Sequence, residues 1–232
     1  MGVVGEEDSG LLVYIGGSSR LLNQPLAIVA RGRTASGKTH LIKRVSVLMP
    51  PETLIDATSL TPNALYRLQP GELPHKILMV GERRHRQDDE ATDATAALRQ
   101  LLSEGRIAKL CPVKSEGGWQ TVLIEQEGPI AYFETTTSRS IFAEDLNRML
   151  QVTTDESESQ TRAVMLAAAR RYDLSESSAG REQVIERHRE FQQALQYVDV
   201  RIPYAGALAE GMPAGQVECR RIIWQVLQQF PA

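Results

Sequence analysis

A chain of 232 residues, 42% hydrophobic and 24% charged, has material for one α/β domain of ordinary size plus a smaller appendage. Its net charge of −3 excludes a uniformly basic nucleic-acid binder and leaves only a local basic patch as a route to such a partner. The two cysteines, Cys111 and Cys219, have no neighbours at metal-ligand spacing, and there is no membrane-length apolar run or signal-like N-terminus, so a reduced, cytoplasmic protein without a membrane partner is expected.

In chain order, residues 11–15 (LLVYI) read as a short strand or as a lead-in packed on the core. Residues 18–25 deliver the chain to an apolar run, 26–30, short and bounded enough to be a buried strand. Residues 32–39 (GRTASGKT) then fit G-x-x-x-x-G-K-[ST], the phosphate-binding loop. From Lys38 a helix is expected, with Leu41, Ile42, Val45 and Leu48 at helical spacing and Pro50-Pro51 as its stop. Strand, loop and helix therefore come in the order that loop requires. Backbone N–H groups of Gly32, Arg33, Thr34, Ala35, Ser36, Gly37, Lys38 and Thr39, with the helix dipole, would face a nucleotide's phosphates. Lys38, expected to be exposed at the loop, would reach the β- and γ-phosphates, and the Thr39 hydroxyl would ligate Mg²⁺. The pattern predicts a nucleoside-triphosphate site.

Residues 53–56 read as a brief strand, and Thr61-Pro62 as the opening of a helix through Gln69. Residues 76–82 (KILMVGE) are four apolar residues running into an acid, the pattern of a Walker B strand. Such a strand usually ends in Asp-Glu; here Gly81 takes the first place and only Glu82 remains to polarise an attacking water. The alternative is a core strand ending in a surface glutamate. Residues 83–90 switch from basic to acidic, a solvated loop or a nucleic-acid contact. Residues 93–103 read as a helix with Ala97, Leu98, Leu101 and Leu102 inward, ended by Gly105.

Residues 107–126 read as a β-hairpin with its tip at 114–118 (KSEGG). Residues 130–135 form another buried strand, running into the polar cluster Thr135, Thr136, Thr137. A helix over 142–150 would carry Arg148, and residues 151–152 would begin a last strand. After that the pattern is helical, over 155–172, 181–197 and 214–230. The expected organisation is an α/β core over 1–152 with a mainly parallel sheet, and an α-helical appendage over 153–232.

Phosphate loop, Walker-B-like strand, hairpin, polar-tipped strand and helical tail, in that order, resemble the plan of AAA+ ATPases. The hairpin ahead of the polar-tipped strand resembles the branch containing superfamily III helicases. The chain is also similar to the helicase-type ATPase domain associated with bacterial, phage and mobile-element zinc-finger primases. The carrying segments are 19–25, 98–105, 127–129 before 135–137, 155–157 with Gln160-Thr161, 200–205 and Arg220-Arg221.

The resemblance implies ATP and Mg²⁺ as cofactors, and Glu82 as the residue that activates water. It places Thr136, at the strand tip, near the γ-phosphate. Arg148 becomes the finger that reaches a neighbouring subunit's nucleotide, with Arg139 as rival and a surface pairing with Glu144 as the plain alternative. Arg220 or Arg221 would supply a lid contact. The implied partners are copies of the chain in a homo-oligomeric ring such as a hexamer, single-stranded DNA, and a primase or other replication protein. In such a ring the hairpin would project toward the pore, with Lys114 on a phosphate and Trp119 stacked on a base, unless Trp119 packs on the core. With no zinc-binding cysteine cluster, priming itself is not encoded here. Three functions follow: an ATP-driven DNA motor; an ATP-dependent switch or assembly factor with weak turnover; and, third, a small-molecule P-loop kinase.

Overall fold

Strands buried on both faces read as unbroken apolar runs, which is how a parallel sheet covered by helices on each side announces itself. The computed structural model describes residues 3–61, 63–82, 89–115, 118–138, 141–170, 179–197 and 203–211. Its central sheet contains β1 (Ala27–Arg31), β2 (Leu54–Ala57), β3 (Lys76–Glu82), β6 (Ile130–Thr136) and β7 (Leu150–Thr153). They lie in the order β2-β3-β6-β1-β7, and every neighbouring pair is parallel. A separate two-stranded antiparallel ribbon is made by β4 (Arg106–Ser115) and β5 (Gly118–Glu127).

Side chains alternate between two cores. Val29, Leu78, Val80 and Tyr132 face α3 (Asp89–Glu104), which contributes Ala97, Leu98 and Leu101. Ile28, Ala30, Ile77, Met79 and Phe133 face α1 (Glu7–Ser18) and α2 (Lys38–Ser46), which contribute Val13, Leu41, Ile42 and Val45. At about 1.5–3 kcal/mol for each large apolar side chain removed from water, these two layers supply most of the drive to fold. The result is an α/β P-loop NTPase fold: a parallel sheet flanked by helices, with a hairpin insertion. Because the strands are parallel, β1, β3 and β6 all end at one edge. That edge carries Gly32, Glu82, Thr136 and Thr137, outside the carboxyl ends of the strands where open α/β sheets bind ligands.

Several expectations need correction. Residues 11–15 are helical, inside α1; only Val13 of that run is buried, while Leu11 and Leu12 face outward. Glu7 and Asp8 in the first turn suit the helix dipole, a signal the short apolar run obscured. Among the described residues between 61 and 69 the regular element is a 3₁₀ turn, Leu65–Arg67, and just past it the Leu68 carbonyl accepts from Gln126 Nε2 at 2.6 Å. The α2 helix ends at Ser46, ahead of the Pro50-Pro51 stop. The helix expected over 142–150 is the four-residue α4 (Ala143–Leu146), since Leu150 must already pair with Ile28 in β7. Arg148 therefore sits in the turn after α4.

Beyond residue 153 come α5 (Glu158–Arg170), α6 (Ala179–Ala194) and α7 (Ala205–Gly211). Helix α6 docks on the α1 side through polar contacts. Arg20, buried in this seam, donates to Gln192 Oε1 at 2.7 Å and to the Gln192 carbonyl at 3.0 Å. Burial pushes the Arg20 guanidinium below its ordinary range against the opposing pull of Tyr14 and Glu52, and the Gln192 acceptors satisfy its buried N–H groups. Tyr14 Oη lies 3.0 Å from His188 Nδ1, and Arg189 Nε donates to the Val47 carbonyl at 3.0 Å. The helix expected over 214–230, Arg220, Arg221 and Cys219 lie outside the described residues, as do Arg139 and residues 83–88.

Candidate nucleotide site

The loop between β1 and α2 has the shape that anion binding needs. Ala35 (φ 67°) and Gly37 (φ 92°) are left-handed on either side of Ser36, an alternation that turns successive N–H groups toward one concavity. Gly37 is also the N-cap of α2, and its carbonyl accepts from Leu41 N at 2.8 Å. A left-handed φ is open to glycine without steric cost, which explains the residue at this position. Ala35 adopts a strained conformation that the surrounding loop must hold.

Lys38 departs from expectation. It is only 6% exposed, and its Nζ donates to the carbonyls of Gly32 (2.9 Å) and Arg33 (2.6 Å). The ammonium is thus already inside the loop, bridging two of its carbonyls, for which an incoming phosphate would exchange. Thr39 is exposed on the first turn of α2. Its hydroxyl would be one protein oxygen for a divalent ion arriving with a nucleotide, since Mg²⁺ typically takes one or two protein oxygens, phosphate oxygens and waters. Among the described residues no group of three His, Cys, Asp or Glu is placed to hold a metal alone. Bound there, the ion would neutralise charge on the β- and γ-oxygens.

Glu82 ends β3, which is separated from β1 by β6. Two strand spacings put it about 10 Å across the sheet edge from the loop, room for a terminal phosphate and a water between them. The group in that gap is Thr137, whose hydroxyl hydrogen-bonds to Glu82 Oε1. Thr136, the residue singled out in the sequence, is fully buried beside Arg31 of β1, and its Oγ1 accepts from Ser138 N at 3.1 Å. The glycine in place of an aspartate before Glu82 has a steric origin. A Cβ on Gly81 would lie 2.6 Å from the Thr58 carbonyl oxygen, so no side chain fits there.

Beside the loop lies a cavity of about 480 Å³. The N-terminal segment (Val3, Val4), the loop (Arg33 to Gly37) and α5 (Val164, Met165) wall it. Met165 is 68% exposed, an apolar wall left uncovered. The sequence did not single out the cavity, although its 155–157 and 160–161 segments border it.

Arg148 is held within its own chain: Nε donates to Ser103 Oγ at 2.7 Å and Nη1 to the Glu144 carbonyl. The Glu144 carboxylate pairs instead with Arg99 (2.6 Å), which also binds buried Asp145 (2.5 Å). Helix α3 and the α4 turn are thereby locked together. Lys114 and Trp119 are directly opposed at the far end of the ribbon. Trp119 is 73% exposed, so the alternative of core packing is not realised. On the same face, four pairs closer to the root, Leu110 (67%) and Leu123 (56%) oppose each other in the open.

No protein-family model matches the sequence, and no curated protein matches it. Among solved structures the chain is similar to a candidate ATPase from Cytophaga hutchinsonii ATCC 33406, with 14% identity and a TM-score of 0.44. The likeness covers 75% of this chain and 52% of that one, so the chain spans about half the length of that protein. Among the described residues no helix is long and apolar enough to cross a membrane.

Proposed function

We propose that this chain binds ATP with Mg²⁺ and hydrolyses it as an oligomeric motor acting on single-stranded DNA. The observation that carries the reading is the arrangement at the sheet edge: an anion-shaped loop on β1 with Lys38 inside it, and Glu82 two strands away. The nucleoside would occupy the cavity against Met165 and Val164, with the triphosphate curling over Gly37 to Thr39. Glu82 would orient the attacking water, released from Thr137 as the γ-phosphate arrives. Arg148 would complete a neighbouring subunit's site after leaving Ser103. Lys114 and exposed Trp119 would meet the DNA backbone and a base, and a primase or other replication protein would be the wider partner.

The test is ATP turnover with and without single-stranded oligonucleotide, beside a sizing measurement with ATP. Stimulated turnover in an assembled species is expected; turnover indifferent to DNA in a monomer would overturn the motor. One observation favours a second reading, an ATP-dependent switch with slow turnover: Gly81 leaves no room for the usual metal-organising acid, and Glu82 is engaged by Thr137. In that case ATP would bind and alter assembly while hydrolysis stayed slow with or without DNA.

A further inference from the structure

Residues 154–161 border the site but have no part in the chemistry above. Their contacts are specific. After β7 the chain closes over the phosphate loop: Thr154 N donates to the Arg31 carbonyl at 3.4 Å, and buried Thr154 donates its hydroxyl to Ser36 Oγ at 2.8 Å. Glu156 Oε1 accepts from the backbone N–H of Arg33 at 2.5 Å. Gly32 lies where the three meet. A Cβ on it would be 2.6 Å from both Ser36 Oγ and Thr154 Oγ1 and 3.2 Å from Glu156 Oε1, so the strap touches the loop with no space between.

The strap is itself held on both sides. Asp155 N donates to Glu6 Oε1 at 2.7 Å, and Asp155 Oδ1 accepts from Ser157 N at 2.8 Å. Ser157 Oγ then caps α5, accepting from Gln160 N at 3.2 Å. With Asp155 and Ser157 committed to the turn and the cap, Glu156 is the carboxylate free to address the loop.

We propose that Glu156 is a positioning residue for nucleotide binding, holding with Thr154 the Arg33–Ser36 turn in the form that receives phosphates. This rests on the reading of residues 32–39 as the nucleotide site. Glu156 acts at the entry of the loop, at Arg33, and leaves the donors at the start of α2 open for the phosphates. A loop already held in its binding form loses less conformational freedom when ligand arrives, so the hold appears as affinity. The carboxylate's charge works the other way, against phosphate. An amide keeps the acceptor and removes the charge, so two substitutions separate the two effects.

The experiment titrates the full chain with a fluorescent N-methylanthraniloyl derivative of ATP in the parent, Glu156→Ala and Glu156→Gln, with thermal midpoints alongside. Glu156→Ala should raise Kd about tenfold, while Glu156→Gln stays within about twofold of the parent and both melt with it. Thr154→Val, which keeps shape and loses the donor, should weaken binding in the same sense and guards against a Glu156→Ala protein that does not fold. Equal Kd in the parent and Glu156→Ala, or tighter binding in both Glu156 variants, overturns the positioning role. A parent that does not bind the probe removes the nucleotide reading and the proposal together.

Discussion

The phosphate loop and the β4–β5 ribbon, the two regions given chemical work, are stabilised in opposite ways. The loop is braced along its length by the chain itself: Lys38 spans two of its carbonyls, Ser36 is held by Thr154, and Arg33 by Glu156. The ribbon is fixed at its root, where Ile107 and Gln126 are buried and Lys109 reaches Asn63 at 3.0 Å. Beyond the root it carries Leu110, Leu123 and Trp119 into the open. A loop braced by its own protein has a geometry that does not wait for a ligand. A ribbon whose far end, among the described residues, buries no large side chain in its own core has a surface whose value lies in what it meets.

The largest effect should come from Glu82→Gln, which keeps the shape at the tip of β3 and removes the charge proposed to orient water. Turnover should fall by about 10²–10⁴-fold while ATP affinity holds. Unchanged turnover would move the acid elsewhere, with Asp88, Asp89 and Glu134 the next residues to substitute. Next is Lys38→Ala. Nucleotide affinity should drop on the order of 100-fold, and because Lys38 is inside the loop the variant should also lose about 1–3 kcal/mol of stability. A variant that melts with the parent would mean the two carbonyl contacts contribute nothing to the loop.

Smaller effects belong to the ribbon. Lys114→Ala with Trp119→Ala should weaken single-stranded DNA binding by about 1–3 kcal/mol for the lost stacked base and flatten its salt dependence, leaving ATP affinity alone. DNA affinity and salt slope both unmoved would make the ribbon tip a bystander. Smallest of all, Leu110→Ala or Leu123→Ala should change stability by no more than about 0.5 kcal/mol, as expected of exposed residues. Leu98→Ala, in the core on α3, should cost about 2–5 kcal/mol in the same denaturant titration. Similar costs at the two places would erase the contrast between braced core and free ribbon.

Much of this was legible in the chain. Strand β3 spans Lys76–Glu82 as read, because four apolar residues closed by an acid define both ends. The ribbon runs from Arg106 to Glu127, within one residue of its reading at each end, because its β-rich arms are set off at the root by Gly105 and Gly128. Residues 11–15 were not legible: a five-residue apolar run has no period long enough to tell helix from strand. The misplacement of Lys38 and the omission of Glu156 share one cause. What buries the lysine is the curl of its own loop, and what holds that loop arrives from more than a hundred residues further along the chain. The same holds for Gly81, whose side-chain space is taken by the Thr58 carbonyl on the neighbouring strand's exit.

The most direct test is equilibrium binding of the N-methylanthraniloyl ATP derivative, with magnesium, to the parent chain and to Lys38→Ala. A loop shaped for phosphates, with its ammonium inside, predicts saturable binding at one site per chain, competed by unlabelled ATP and weakened on the order of 100-fold in the variant. A parent that shows no saturable binding, or a variant that binds as tightly as the parent, would contradict the assignment of residues 32–39 as the nucleotide site.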